Sequence, residues 1–256
     1  MAVKLLQKNI GFEFEIATNL SKRKLSTAFR KATGFNKVTV TDDCSIEHSS
    51  TGYRYGLEIQ TAPQPAGKAH RNLKKAFKFF QEQDISTNDS TGLHVNISFQ
   101  KKGYNNDISA GKLQMLTDDI KWLKRFDRLD NIYTITPKLA IAEVIDKIKK
   151  RKRLGPPDEI INTLKEASSI WNIEMNEMNI RENSVNITKL ELINPYVEFR
   201  ILGGLNYHWR TKEVLSATDH FSRAMDMSLG NRYDYLYKRY IERMHPTIET
   251  STHIPH

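Results

Sequence analysis

The stretch Gly11-Phe12-Glu13-Phe14-Glu15-Ile16 alternates strictly between apolar and charged side chains. Alternation with period two marks a strand that lays one face on a core. Phe12, Phe14 and Ile16 then share one face, and Glu13 and Glu15 share the other. Glu is a poor strand former, so two of them set between phenylalanines have no propensity reason to be there. Strand positions i and i+2 lie roughly 6.6 Å apart, since the rise is about 3.3 Å per residue. Carboxylates at that spacing can each hold one of two neighbouring divalent ions, which lie about 3.5–4 Å apart in two-ion sites. For this stretch alone, a solvated strand face is the other reading, and the rest of the chain must decide.

Four more stretches repeat the pattern. Gly56-Leu57-Glu58-Ile59-Gln60-Thr61 places Leu57 and Ile59 opposite Glu58 and Gln60, and Pro63 and Pro65 stop it. Thr91 to Phe99 places Leu93, Val95, Ile97 and Phe99 opposite His94, Asn96 and Ser98. Ser184-Val185-Asn186-Ile187-Thr188 and Tyr196-Val197-Glu198-Phe199-Arg200-Ile201 complete the set, and Lys37 to Val40 adds a short β-branched run. Helical spacing predicts helices over Ser21–Lys31, closed by Gly34, and over about 68–83, where Leu73, Ala76, Phe77 and Phe80 share one side. Residues from about 110 to 180 read as mostly helical, interrupted by the basic run Lys147–Arg153 and by Gly155-Pro156-Pro157. A further helical region covers about 209–243, and the segment from 246 to 256 is expected to be a flexible tail.

These elements predict an α+β fold with a mainly antiparallel, curved sheet and helices on its apolar face. The expected organisation is one catalytic domain over 1–245 with a helical insertion at about 104–182. The sheet's other face then collects Glu13, Glu15, Glu58, His94, Asn96, Asn186, Glu198 and Arg200. Ordinary solvated faces carry Thr, Lys and Gln, not four Glu with a His.

Composition narrows the function classes. No run of apolar residues reaches the length of a membrane span, and the N-terminus lacks a signal-peptide core. Cys44 is the only cysteine, which rules out a disulfide framework and a Cys-based zinc site and fits a reducing cytoplasm. The net charge of +9 suits an anionic partner, such as nucleotide phosphates, an acidic polymer or nucleic acid. Zinc-finger spacing, an RNP-type aromatic motif and a heptad-bearing basic region are all missing, so nucleic acid is not required.

Six short motifs occur in a telling order: Gly11-Phe-Glu-Phe-Glu, Asp43-Cys-Ser-Ile, Gly56-Leu-Glu-Ile, Thr91-Gly-Leu-His-Val-Asn, Ser184-Val-Asn and Val197-Glu-Phe-Arg. Together they resemble the carboxylate–amine ligase superfamily with a glutamine-synthetase-like catalytic sheet, and most closely its amidoligase branch. The resemblance spans residues 11–204 and leaves out the helical block. It implies ATP-dependent joining of a carboxylate to an amine, with peptides, amino acids or polyamines as candidate acceptors. It also implies that Glu13, His94 and Glu198 hold the nucleotide's metal, and that Glu15 and Glu58 hold a second ion near the transferred phosphoryl. Arg200 matches the arginine that neutralises the γ-phosphate, a task suited to a bidentate guanidinium. Asp43 and Ser45 match a D-x-S element that contacts amine or substrate, and Asn186 matches a substrate-side position. Asn96 stands where glutamine synthetase has a second His that contacts nucleotide. That enzyme's N-terminal domain has no counterpart here, so ammonia is not the implied acceptor.

Bland readings stand beside these. Glu198 and Arg200 are also an ordinary same-face ion pair. Asp43 and Ser45 are also turn chemistry. The Lys147–Arg153 run is also a helix end favoured by the macrodipole. Hard oxygen ligands and phosphates point to Mg2+, with Mn2+ as a substitute, rather than zinc. The same acids and basic charge would serve a guanidino-kinase-like phosphotransferase, a two-metal nuclease, or a silent nucleotide- or polymer-binding protein.

Overall fold

The computed structural model describes residues 5–48, 52–83, 85–131, 134, 136, 183–230 and 235. The basic run Lys147–Arg153, the Gly-Pro-Pro break, most of the helical block and the C-terminal tail lie outside them.

A single open sheet organises the described residues. Its strands are β1 (Lys8–Thr18), β2 (Val38–Asp42), β3 (Tyr55–Thr61), β4 (Gln64–Pro65), β5 (Gly92–Phe99), β6 (Val185–Asn186) and β7 (Val197–Gly203). They lie in the order β2-β3-β1-β5-β7-β6, and β4 pairs with β1 off that path. Each of these pairings is antiparallel. The central position of β1 explains its length and its composition. It has a neighbour on each edge, and Phe12, Phe14 and Ile16 are fully buried.

Helices cover one face of the sheet. They are α1 (Lys22–Thr33), α2 (Ala66–Glu82) and α6 (Thr211–Met227); three short helices, α3 (Gly103–Asn106), α4 (Ala110–Leu116) and α5 (Asp119–Arg125), follow β5. Gly34 ends α1 in the left-handed conformation (φ 78), and its N–H returns to the Arg30 carbonyl, as expected for a glycine just past a helix. Aromatic rings hold the layers together. Phe14 meets Phe29, Phe77 and Phe80 at 5.8, 6.3 and 5.3 Å between centroids, and Phe199 stacks on Phe221 of α6 at 4.5 Å. Such pairs add about 0.5–1.5 kcal/mol each beyond the area they bury.

Two expectations change. The strand expected over 184–188 pairs only at Val185 and Asn186, because the Asn186 carboxamide oxygen accepts from the Thr188 N–H and hydroxyl and turns the chain into a 3-10 helix. The start of the helical block is a series of short pieces rather than long helices. Left-handed aspartates, Asp118 (φ 52) and Asp127 (φ 55), flank α5 on either side. No described helix is long and apolar enough to cross a membrane.

Candidate functional site

The face of the sheet away from the helices is built by register. Glu15 pairs with Glu58, Glu13 with Gln60 on one side and His94 on the other, and Glu198 with Asn96 and Asn186. Five strands thus deliver one row of acids and amides across the middle of the sheet. Between β5 and β7 the register slips, so that Arg200 and Ile201 together oppose His94. A bulge of this kind bends the strand and re-aims a side chain, here bringing the Arg200 Nη1 to 2.9 Å from Glu198 Oε1.

His94 is the hub. Its Nδ1 lies 3.3 Å from both Glu13 Oε2 and Glu198 Oε1, and its Nε2 lies 3.2 Å from Glu15 Oε1. Each acid is oriented by a second partner. Asn96 donates to Glu13 Oε1 (2.7 Å), Asn186 to Glu198 Oε2 (2.8 Å), the Gly92 N–H to Glu15 Oε2 (2.5 Å) and Gln60 to Glu58 Oε1 (2.5 Å). Gly92 has to be glycine for reasons of space. A Cβ there would sit 2.9 Å from His94 Nε2 and 3.0 Å from Glu15 Oε2.

Charge accumulates on this face. Burial and the neighbouring Glu13 and Glu15 carboxylates push the Glu58 carboxyl up to about 7, against the pull of His94 and Gln60. Burial also works against charge on His94, but Glu15 first, then Glu13 and Glu198, outweigh it and Arg200 and raise the imidazole above its ordinary value. Burial works to raise Glu13 too, yet His94, Asn96 and Arg200 hold it below the usual carboxylate value. Tyr196 is pushed up to about 12 by burial and by the charges of Glu13 and Glu198.

Two overlapping sets of ligand atoms lie within 4.8 Å of one another: Glu13, Glu58 and His94, and Glu15, Asp43 and Glu58. Carboxylates with one imidazole are donors for a hard divalent ion, and two sets sharing Glu58 are what adjacent ions require. Two buried polar atoms at the same place have no partner among the described residues, Asn96 Oδ1 and Arg200 Nε, one an acceptor and one a donor. Buried polar atoms are ordinarily paired, so these two are suited to a ligand.

The structure brings together Glu13, Glu15, Glu58, His94, Asn96, Asn186, Glu198 and Arg200. Three of the expected residues also make contacts within the chain. Asp43, matched above to a substrate contact, stands close to Glu15 and Glu58 in a group that could hold an ion. It arrives there because the bare Gly56 lets its backbone approach, where a Cβ would meet the Asp43 carbonyl at 2.9 Å. Ser45 donates its N–H and hydroxyl to Asp43 Oδ1 (2.9 and 2.6 Å), which is turn chemistry that fixes Asp43. The Asn186 carboxamide donates to Glu198 Oε2 and accepts from Thr188, an arrangement that orients Glu198.

Residues that sequence reasoning did not single out complete the site. A cavity of about 490 Å3 opens beside Glu13 and Asn96, lined by carboxamides including Asn9, Gln60 and Gln100, and by Lys102 and Tyr196. Gly92 had a local signal in the Thr-Gly that opens β5, whereas Tyr196 had none. No protein-family model matches the chain, and no curated protein matches it.

Proposed function

We propose that the chain is an ATP- and Mg2+-dependent carboxylate–amine ligase that forms an amide or isopeptide bond through an acyl phosphate and releases ADP. The observation that carries this reading is the pair of overlapping ligand sets around His94 and Glu58, with a guanidinium, Arg200, on the same face. The order of the six sequence motifs supports a glutamine-synthetase-like sheet as its scaffold.

Glu13, His94 and Glu198 would hold the ion that travels with the nucleotide, and Glu15, Glu58 and Asp43 a second one. Bound ions would neutralise phosphate charge and polarise the transferring phosphoryl group. The chain's own residues do the rest. Arg200, held by Glu198 through Nη1, offers its remaining N–H groups to the phosphoryl oxygens as charge develops on them. The substrate carboxylate oxygen attacks the γ-phosphorus and the ADP oxygen leaves, which gives an acyl phosphate. A neutral amine then attacks the acyl carbon, phosphate leaves, and the amine's extra proton passes to a base. The carboxamide-lined cavity beside Glu13 has room and hydrogen-bonding groups for the nucleoside. A nucleophilic serine or thiol is not needed: Cys44 is exposed and lies outside both ligand sets.

The test is Mg2+-dependent phosphate release from ATP, screened against pools of carboxylates with and without pools of amines. Release that needs both pools supports the reading. A stable phosphorylated product with no amide would instead select a phosphotransferase.

A further inference from the structure

Arg128 lies just after α5 and is 3% exposed, yet no described carboxylate forms an ion pair with it. A buried guanidinium is costly unless its donors are used; this one leaves Nε without a partner among the described residues and uses its two terminal nitrogens in a particular way. Its Nη1 donates to the Thr91 carbonyl at 2.7 Å, and its Nη2 to Thr134 Oγ1 at 3.1 Å. The same carbonyl accepts the Gly204 N–H at 2.8 Å. The other side of that peptide unit is the Gly92 N–H, which donates to Glu15 Oε2 at 2.5 Å. The cation therefore sits at the negative end of the Thr91–Gly92 peptide dipole, and the Glu15 carboxylate at its positive end. Hydrogen bonds chained in this order polarise one another and strengthen, the more so where water is excluded.

Room for the guanidinium is made by the backbone. Gly203 has φ 134, and a Cβ on it would sit 2.8 Å from Arg128 Nη1 and 2.6 Å from the Thr91 oxygen. Asp127, at φ 55, turns the chain into the position from which Arg128 reaches inward. Two unusual backbone positions thus converge on one side chain that touches none of the groups expected to react.

We infer that Arg128 is a positioning residue for the second ion of the proposed site: through the Thr91–Gly92 peptide it fixes the Glu15 carboxylate, with Oε2 held by the Gly92 N–H and Oε1 turned to His94. This rests on the reading of Glu15, Asp43 and Glu58 as ion ligands. With one oxygen tied to Gly92, Glu15 serves as a one-oxygen ligand of fixed aim, which favours a small ion with strict geometry. A residue that only pinned the loop would affect both ions alike, or neither.

The experiment is Mn2+ binding to the whole chain, followed by electron paramagnetic resonance, in wild type, Arg128→Met, Arg128→Lys and Asp43→Asn. Asp43→Asn identifies the second ion as the step it removes. Arg128→Met is expected to weaken that step by about tenfold or more while changing the first by less than twofold, and Arg128→Lys, which keeps one charged donor for Thr91, to fall between. If Arg128→Met does not fold by circular dichroism, Thr134→Val, which frees Nη2, carries the same test with a smaller expected loss. Two ions bound with unchanged affinities in the variants, or both weakened equally, overturns the inference and leaves the proposed site standing. A wild-type chain that binds no Mn2+ overturns the site itself.

Discussion

Replacing Glu58 by Gln tests the charge balance of the site in one substitution. Glu58 lies opposite Glu15 and is shared by both ligand sets. Its carboxyl stands at about 7 against an ordinary 4.5, so the folded chain holds this proton more tightly than the unfolded chain does. The unfolded state therefore releases it first, and stability falls as pH rises from about 4.5 to about 7, with the cost complete above that. A shift of that size corresponds to on the order of 3 kcal/mol for a fully buried group. Glu58 is half-buried, and solvent screening brings the figure to about 1–2 kcal/mol. Gln keeps the oxygen that accepts from Gln60 and removes the charge. Without divalent ions, Glu58→Gln should then be more stable than wild type by about 1–2 kcal/mol at pH 8, with the advantage shrinking towards pH 5. Mn2+ should reverse the ranking. An ion present at a hundred times its dissociation constant stabilises wild type by about 2.7 kcal/mol, and the variant has lost the shared ligand. Urea unfolding at pH 5 and pH 8, with and without Mn2+, reads all four states. A variant less stable than wild type at pH 8 without ions, or equally stabilised by Mn2+, would refute the reasoning.

Other outcomes follow from the same geometry. Gly92→Ala places a methyl group against His94 and Glu15, so it should abolish Mn2+ binding while the helical core stays folded by circular dichroism. Arg200→Lys keeps the charge and loses the planar fork; kcat should fall on the order of a hundredfold with the nucleotide KM nearly unchanged in steady-state kinetics. Phe221→Ala removes the ring stacked on Phe199 under β7 and should cost about 3–5 kcal/mol in chemical denaturation. Apparent Mn2+ affinity should rise with pH through about 7, where Glu58 must lose its proton to act as a ligand, and the raised His94 must lose its own as well, as isothermal titration across buffers would read.

The faces of β1, β3 and β5 were legible in the sequence because period two is a local property. Once Phe12 and Phe14 go inward, Glu13 has nowhere else to point. The long-range devices were not legible. The bulge that sets Arg200 and Ile201 against His94 depends on how β7 pairs with β5, and nothing within Val197–Gly203 announces it. Asp43 reads as turn chemistry and is turn chemistry, yet the approach of its backbone over Gly56 also makes it a ligand candidate. Arg128 escaped notice because its neighbours in sequence carry no motif and the carbonyl it bonds, that of Thr91, lies far away in sequence just before β5. Asn186 shows the opposite error: its alternating surroundings suggested a full strand, but a side chain that bonds its own backbone outweighs that pattern.

The central claim is that this site uses ATP to activate a carboxylate, and hydroxylamine trapping tests it most directly. Wild-type chain incubated with MgATP, a carboxylate pool and hydroxylamine should form hydroxamate and ADP in equal amounts. Glu13→Gln, which removes a carboxylate held by His94 and Asn96, should form neither, and Cys44→Ala should match wild type. Release of AMP in place of ADP, accumulation of a stable phosphorylated product with no hydroxamate, or loss of all activity in Cys44→Ala would contradict it.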